Sequence, residues 1–212
     1  MQKVTKGNTQ NIRGVITTGS FDPFTLGHFD IAKRAFSMFG NCTCVMLKND
    51  ERQYMFTQQQ RVQIAQASLK DSPVKFDFFD GTAADYCVQN GVLLVVRGIK
   101  SSGEYDYEKR MAEVNKQLCG VETVLLPARL EVSATDVRAV LGSVGTSCQH
   151  CLKNAKNPVQ SFAKGNAKPA RNVNQNGVAD APNAAAIRAK LSAMLAPSAV
   201  DLILTWYPKP PV

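Results

Sequence analysis

Five short apolar runs alternate with longer stretches in which apolar residues recur at helical spacing, and this pattern determines the predicted fold. The runs lie at Val15–Ile16, Cys42–Leu47, Val74–Phe79, Val92–Val96 and Glu122–Leu126. The fourth run is apolar at every position, which is typical of a strand buried on both faces of a parallel sheet. Alternating strands and helices form α/β proteins. We therefore predict a doubly wound, Rossmann-like sheet of five parallel strands, followed by C-terminal helices.

The stretches between the runs predict the helices. They cover residues 27–39, 57–69, 82–89, 104–118 and, from Ser133 or Thr135, a short helix to Leu141. Thr57 and Gln60 have the spacing of a capping box, in which each side chain accepts a hydrogen bond from the other residue's backbone N–H. Two later helical segments, 184–195 and 200–206, are expected to pack back on the core.

Composition divides the chain into parts. Residues 146–182 are rich in Asn, Lys, Ala, Pro and Gly and show little apolar periodicity. Such a composition cannot bury enough surface to offset its ordering entropy. We predict a flexible leader (1–13), a core (14–145), a basic disordered insertion (146–182), C-terminal helices (183–207) and a tail (208–212).

The net charge of +8 is unevenly distributed. Residues 146–190 contain seven basic residues and one acid, so this stretch contributes +6 and leaves the core nearly neutral. The insertion contains one aromatic residue, Phe162, for stacking on bases. A solvated linker is therefore favoured over an RNA-binding segment, and nucleic acid is not an expected partner.

Cysteine usage and apolar content indicate a cytoplasmic protein. The six cysteines are spread through the chain rather than arranged as a disulfide framework, which favours reduced thiols. No apolar run approaches the roughly 20 residues of a membrane span. The single C-x-x-C of Cys148–Cys151 has no second ligand pair, so no protein metal site is predicted. The leader is basic but lacks the apolar face of a transit peptide.

The loop from Thr18 to His28 joins the first strand to the first helix, a position where α/β proteins bind phosphate. His28 falls in the first helical turn, where the positive end of the helix dipole disfavours the imidazolium and leaves an N–H donor. Such a donor suits negative charge that develops on a phosphoryl oxygen. We predict that Ser20 and His28 contact nucleotide phosphates; the alternative is a purely structural histidine.

A second polar cluster, Arg97-Gly98-Ile99-Lys100, follows the fourth strand. In the usual doubly wound order, the first and fourth strands are neighbours and ligands lie beyond their carboxyl ends. The two clusters are therefore expected to face each other.

These segments resemble the motifs of a known family. Gly19–Pro23 followed by Thr25–His28 is similar to the signature of nucleotidyltransferases with a T/H-x-G-H motif. Arg97–Lys100 followed by Tyr105–Glu108 resembles the phosphopantetheine adenylyltransferases, and Val132–Arg138 resembles their third nucleotide motif. The likeness extends from about residue 15 to residue 141.

The resemblance implies that the adenylyl group of ATP is transferred to 4′-phosphopantetheine, giving dephospho-coenzyme A and pyrophosphate in the biosynthesis of coenzyme A. The acceptor phosphate would attack the α-phosphorus directly, so catalysis would consist of positioning and charge stabilisation. Mg²⁺ is expected on the triphosphate. A homo-oligomer, hexameric in this family, is also implied.

The resemblance also implies roles for single residues. The catalytic residues would be His28, Arg52 and Ser20. The acceptor would contact Ser20, Arg52, Thr82, Ala83 and Arg97. ATP would contact Ser20, Phe21, His28, Gly98, Ile99, Lys100, Glu108, Val132, Ser133, Ala134 and Thr135.

The chain departs from the family pattern at four places. Arg52 replaces a usual lysine and Lys100 a common arginine, two side chains that are not interchangeable at phosphate sites. Ala134 replaces a serine, and Thr82-Ala83 replace larger apolar residues.

Two alternatives stay open at this point. One is an adenylyl- or cytidylyltransferase for another phosphorylated acceptor such as nicotinamide mononucleotide, against which the Tyr105–Glu108 segment argues. The other is a noncatalytic nucleotide- or RNA-binding protein, against which the intact Ser20, His28 and Arg97 argue.

Overall fold

A computed structural model describes residues 14–48, 52–145 and 184–206, and its centre is a parallel sheet. The strands are β1 (Val15–Gly19), β2 (Thr43–Leu47), β3 (Lys75–Phe79), β4 (Leu94–Ile99) and β5 (Glu122–Pro127). Their order in the sheet is β3-β2-β1-β4-β5, and all neighbours are parallel. The predicted doubly wound, five-stranded α/β fold is therefore confirmed.

Helices connect the strands and close the chain. They are α1 (Leu26–Phe39), α2 (Gln58–Leu69), α3 (Ala83–Asn90), α4 (Ser102–Cys119), α5 (Ala134–Gly145), α6 (Ala184–Ser192) and α7 (Pro197–Trp206). The predicted capping box is present at α2, where Thr57 N–H donates to Gln60 Oε1 at 2.9 Å and Gln60 N–H donates to Thr57 Oγ1 at 3.3 Å. α7 begins earlier than predicted because proline is well suited to the first helical turn.

The fourth strand is longer than its apolar run. Prediction ended it at Val96, but β4 continues through Arg97 and Gly98 to Ile99. The reason is the neighbouring strand: these last three residues of β4 pair in register with Leu125, Leu126 and Pro127 of β5. The first three residues of the polar cluster thus belong to the strand, and Lys100 follows directly after it.

The sheet has an apolar layer on each face. Val15 and Ile16 are both 1% exposed and belong to clusters on opposite sides of β1. The larger cluster includes residues of α1, α2, α5, α6 and α7, and the smaller one includes Tyr86 and Cys87 of α3. Burial raises the pKa of the Cys42 and Cys87 thiols to about 12, which keeps both protonated.

The pairing of β1 with β4 places the two predicted polar clusters side by side. Val15 is opposite Leu94 and Ile16 is opposite Val95, and the strands run parallel. The loop after Gly19 and the cluster at Arg97 therefore leave the same edge of the sheet, as predicted.

Several predictions concern residues outside the described ranges: the leader 1–13, the insertion 146–182, the tail 208–212 and the cysteines of Cys148–Cys151. Within the described parts of the chain, no helix combines the length and apolar character that crossing a membrane requires.

Candidate active site

A cleft with a volume of about 320 Å³ lies beyond the carboxyl ends of β1 and β4. Most of the site residues expected from the sequence line it: Ser20, Phe21, His28, Arg52, Arg97, Gly98, Lys100, Val132, Ser133, Ala134 and Thr135. The cleft is also lined by four residues to which the sequence analysis assigns no role: Thr18, Asp22, Glu104 and Arg138. Segments far apart in the chain are thus brought to one place.

His28 is the third residue of α1, and its ring is held in a fixed orientation. Its Nδ1 accepts a hydrogen bond from the Thr25 backbone N–H at 3.0 Å and also lies 3.1 Å from Thr25 Oγ1. The ring packs edge-on against Phe21, with centroids 5.1 Å apart, and is tilted against Phe24 at 5.6 Å. Because Nδ1 is an acceptor, the proton of the neutral imidazole lies on Nε2.

The surroundings of His28 keep it neutral. Burial lowers its pKa from the ordinary 6.5 to about 4, and the positive charges of Lys100 and Arg97 act in the same direction. At pH 7 the side chain is therefore an uncharged Nε2–H donor in a group of cations. It can stabilise negative charge by hydrogen bonding without itself being a proton source.

Ser20 and Arg52 lie together at the edge of the cleft. Arg52 Nη1 donates to Ser20 Oγ at 3.2 Å, and Arg52 is otherwise exposed. Two residues that the sequence assigned to the acceptor phosphate are thus in contact, and the guanidinium keeps further N–H donors directed at solvent.

Arg97 is held by protein groups on two sides. Its Nε and Nη2 donate to the two carboxylate oxygens of Glu108 at 2.9 and 2.7 Å. Its Nη1 donates to the backbone carbonyl of Thr18 and to Thr18 Oγ1. Glu108 is buried and does not line the cleft. The structure therefore places Glu108 behind Arg97, whereas the sequence associated it with ATP.

Lys100 connects the end of β4 to the third motif. Its Nζ donates to the Val132 carbonyl at 2.7 Å, and its backbone N–H donates to Glu104 Oε2 at 2.7 Å. The ammonium thus lies beside the segment 132–135 that the sequence associates with nucleotide. Lys100 therefore adds a positive charge to this wall of the cleft.

Asp22 anchors the loop between β1 and α1 to the segment that precedes α2. Its carboxylate is 4% exposed and accepts the backbone N–H groups of Met55 and Phe56, each at 3.0 Å. Arg138 of α5 donates from Nη1 to the Asp22 carbonyl at 2.6 Å and from Nη2 to Thr135 Oγ1 at 2.9 Å. Arg138 therefore ties the first motif to the third.

Two glycines allow backbone and helix to approach closely at the cleft. A Cβ on Gly98 would lie 2.9 Å from Ile31 Cγ1 of α1, and a Cβ on Gly27 would lie 3.2 Å from the Val132 carbonyl oxygen. A side chain at Gly98 would therefore force Ile31, which belongs to the same helix as His28, to move.

Besides Glu108, three expected site residues lie outside the cleft. Thr82 caps α3: its Oγ1 donates to Asp85 Oδ2 at 2.7 Å and accepts from the Asp85 backbone N–H at 3.1 Å. Ala83 is the first residue of that helix, and neither residue lines the cleft. Ile99 lines a shallow depression beside the cleft together with Lys100 and Tyr105.

The cleft contains few carboxylates that could bind a cation. Asp22 and Glu104 line it, but both Asp22 oxygens and Glu104 Oε2 already accept backbone N–H groups. Across residues 14–48, 52–145 and 184–206, no three His, Cys, Asp or Glu side chains are grouped to hold a metal. The donors therefore fit a magnesium ion that enters bound to phosphates better than one held in a protein cage.

Asp22, Arg61 and Arg138 are the structurally important residues that sequence reasoning missed. Arg61 of α2 is 3% exposed and donates from Nη1 to the Ser20 carbonyl at 2.7 Å. Two of the three could have been found from the sequence, because Asp22 and Arg138 belong to the motifs that carry the family resemblance. Arg61 lies in a predicted helix with no motif around it, so only the fold reveals its contact with Ser20.

Comparison with known proteins shows the family of the chain. The family model of cytidylyltransferase-like proteins matches residues 16–140. Two curated relatives are named phosphopantetheine adenylyltransferase. The relative from Pseudarthrobacter chlorophenolicus is 37% identical over 66% of this chain and 87% of its own length. The relative from Cutibacterium acnes is 35% identical over 58% of this chain and 82% of its own.

A solved structure also aligns with the chain. It is the lipopolysaccharide core biosynthesis protein from Thermoplasma volcanium, which is 17% identical, with a TM-score of 0.40 over 55% of this chain and 95% of that one.

The family model covers more than half of the chain, and the curated relatives align over most of their own length. The matched residues include β1, the His28 loop, the end of β4 and most of α5. The chain therefore belongs to the cytidylyltransferase-like family of nucleotidyltransferases, as a relative of its phosphopantetheine adenylyltransferases.

Proposed function

We propose that this chain transfers the adenylyl group of ATP to 4′-phosphopantetheine, giving dephospho-coenzyme A and pyrophosphate. The observation that supports this most directly is the neutral Nε2–H donor of His28 between three cations, Arg52, Arg97 and Lys100, in one cleft. Transfer of an adenylyl group between two polyanionic substrates needs such an arrangement. The relatives' name, phosphopantetheine adenylyltransferase, indicates the acceptor and the transferred group.

The proposed reaction is a direct displacement. An oxygen of the acceptor phosphate forms a bond to the α-phosphorus, the bond from that phosphorus to the β-phosphate oxygen breaks, and pyrophosphate leaves with the electron pair. No covalent intermediate on the protein is involved. His28 donates its Nε2–H to a non-bridging α-phosphoryl oxygen, where charge increases in the transition state.

The basic residues then divide between the substrates. Arg52 and Ser20 hold the acceptor phosphate at one edge of the cleft, and Arg97 contributes positive charge between the two phosphates. Lys100 and the segment 132–135 hold the nucleotide. The depression lined by Ile99 and Tyr105 has the apolar and aromatic character that suits a base. Mg²⁺ enters with ATP, where it neutralises the triphosphate.

One assay tests the proposal. The protein is incubated with ATP, Mg²⁺ and 4′-phosphopantetheine, and pyrophosphate is measured; steady release is expected. Absence of turnover would refute the proposal. Turnover only when nicotinamide mononucleotide replaces the acceptor would reassign the substrate, and nucleotide binding without either reaction would indicate a noncatalytic protein.

We also propose that the enzyme is a cytoplasmic homo-oligomer. α4 exposes Tyr107, Met111, Val114 and Leu118, which follow one another at helical spacing, and Leu118 is 67% exposed. An apolar stripe on a surface helix is typical of a protein interface. Sedimentation velocity should show an oligomer that Leu118→Glu weakens; a monomeric wild type would contradict this proposal.

A further inference from the structure

Arg61 lies behind the first motif rather than in the cleft. It is a residue of α2, only 3% exposed, and it is absent from the residues that line the cleft. A fully buried arginine is rare unless its charge is satisfied by specific groups. Its position therefore needs an explanation that simple solubility or surface packing does not provide.

Two contacts of Arg61 fix the orientation of its guanidinium group. The guanidinium carbon lies 3.7 Å from the centroid of the Tyr54 ring, a cation–π arrangement. From that position Nη1 donates to the Ser20 carbonyl oxygen at 2.7 Å. A charged donor that is shielded from solvent gives a strong hydrogen bond, so the direction of the Ser20 carbonyl is fixed.

The direction of that carbonyl determines the direction of the next N–H group. In a planar trans peptide the C=O and N–H bonds point opposite ways. The only cis bond among the described residues is Asp22–Pro23, so the Ser20–Phe21 peptide is trans. The carbonyl of this peptide points at buried Arg61. The Phe21 N–H therefore points away from Arg61, toward the cleft that Ser20 and Phe21 line.

The conformation and packing of Phe21 also restrict the Ser20–Phe21 peptide. Its φ of 45° lies in the left-handed region, which a bulky residue adopts only when its surroundings impose it. The Phe21 ring is 2% exposed and packs against Phe24, with centroids 5.0 Å apart, and against His28. Ring packing on one side and Arg61 on the other leave the peptide one orientation.

We propose that Arg61 is a positioning residue that, by binding the Ser20 carbonyl from behind, aims the Phe21 backbone N–H at a phosphate in the cleft. The inference rests on the proposed function only for the identity of the phosphate, which belongs to ATP. Arg61 itself touches no substrate. Its removal leaves the peptide free to rotate, and the phosphate then loses one donor.

Nucleotide binding and turnover together test the role. Arg61→Met removes the donors and keeps most of the volume. We expect ATP with Mg²⁺ to bind about tenfold more weakly in titration calorimetry, the loss typical of one hydrogen bond to a charged group. The KM for 4′-phosphopantetheine should change less than the ATP affinity. Arg61→Lys, which supplies one donor to the same carbonyl, should recover most of the ATP affinity.

A matched control and a measurement on the wild type keep the test independent of folding. Gln63→Met places the same side chain on the exposed face of α2 and should bind ATP like the wild type. In wild-type protein, the Phe21 amide proton should shift downfield when ATP binds. An unshifted Phe21 amide, or a folded Arg61→Met variant with wild-type ATP affinity, would overturn the inference. If ATP binds as described but no pyrophosphate is released, the proposed function fails and the role of Arg61 stands.

Discussion

Arg97 and Glu108 form a two-bond ion pair in which both carboxylate oxygens accept from one guanidinium, at 2.9 and 2.7 Å. Glu108 is 7% exposed, so its carboxylate is shielded from solvent, whereas the Arg97 side chain is 29% exposed and lines the cleft. Removing one partner of such a pair leaves the other charge unsatisfied. We expect Glu108→Gln to lower the free energy of unfolding by about 1–3 kcal/mol at pH 7, measured by urea denaturation.

The same substitution should raise the KM for 4′-phosphopantetheine, because Arg97 loses the partner that orients it. Glu113→Gln is the control, since Glu113 lies on the exposed side of the same helix. If the Glu108→Gln variant has the same free energy of unfolding as the wild type, the ion pair makes no net contribution to stability.

His28 should affect the chemical step more than binding. Because its Nε2–H is proposed to act on charge that develops in the transition state, His28→Ala should lower kcat by roughly 10²–10³-fold. The Kd for ATP, measured by calorimetry, should change little. An equal loss in kcat and in ATP affinity would indicate that His28 serves only to bind substrate.

The lowered pKa of His28 predicts a specific pH dependence of stability. The folded protein keeps His28 neutral down to about pH 4, whereas the unfolded chain takes up a proton near pH 6.5. The unfolded state therefore binds more protons between these values, and stability falls as the pH falls through this window. From pH 8 to pH 5 this residue should cost about 2 kcal/mol.

Urea unfolding of the wild type and of His28→Gln at both pH values isolates this contribution. Carboxylates titrate alike in the two proteins, so the wild type should lose more stability between pH 8 and pH 5 than the variant. Parallel losses would show that His28 is accessible to protons in the folded state.

The close contact of Gly98 with Ile31 predicts a coupling between two substitutions. Gly98→Ala should destabilise the fold by about 1–3 kcal/mol because its Cβ would lie 2.9 Å from Ile31 Cγ1. Ile31→Ala removes that atom but leaves a cavity. In the double variant the clash is absent, so the two losses in unfolding free energy should sum to more than the loss measured for the pair. Simple additivity would show that the loss in Gly98→Ala does not arise from contact with the Ile31 side chain.

Arg52 should act on the acceptor alone. It lies at the edge of the cleft with Ser20 as its contact, so Arg52→Met should raise the KM for 4′-phosphopantetheine about tenfold or more, the value of one charge-assisted contact. Calorimetric ATP affinity should stay within a factor of about two. Arg52→Lys should keep most activity, since a single positive charge remains. A matching loss of ATP affinity in Arg52→Met would place this residue between both substrates.

The sequence alone was sufficient to predict the strands and helices. It was also sufficient to predict that the Thr18–His28 loop and the Arg97–Lys100 cluster lie side by side. Local patterns determine both: apolar runs mark the strands, and the doubly wound strand order follows from their alternation with helices. The apolar run Val92–Val96, for example, was sufficient to predict β4. Its extension to Ile99 was missed because the apolar pattern stops at Arg97, whereas pairing with β5 continues.

Contacts between distant side chains could not be derived in the same way. Arg97 was expected on a phosphate and Glu108 on ATP, but the fold also brings them against each other. Arg61 and Arg138 donate to carbonyls of the first motif 41 and 116 residues away. No periodicity encodes such separations, so these partners appear only once the helices are packed.

The backbone N–H of Leu26, the first residue of α1, donates to the carbonyl of Met194 at 2.9 Å. The first N–H groups of a helix have no partner within it, so here a residue of the turn between α6 and α7 satisfies one of them. Fraying of α6 and α7 would therefore uncover the helix start two residues before His28. Heat, mild denaturant or proteolysis at that end of the chain should consequently abolish catalysis before the sheet unfolds.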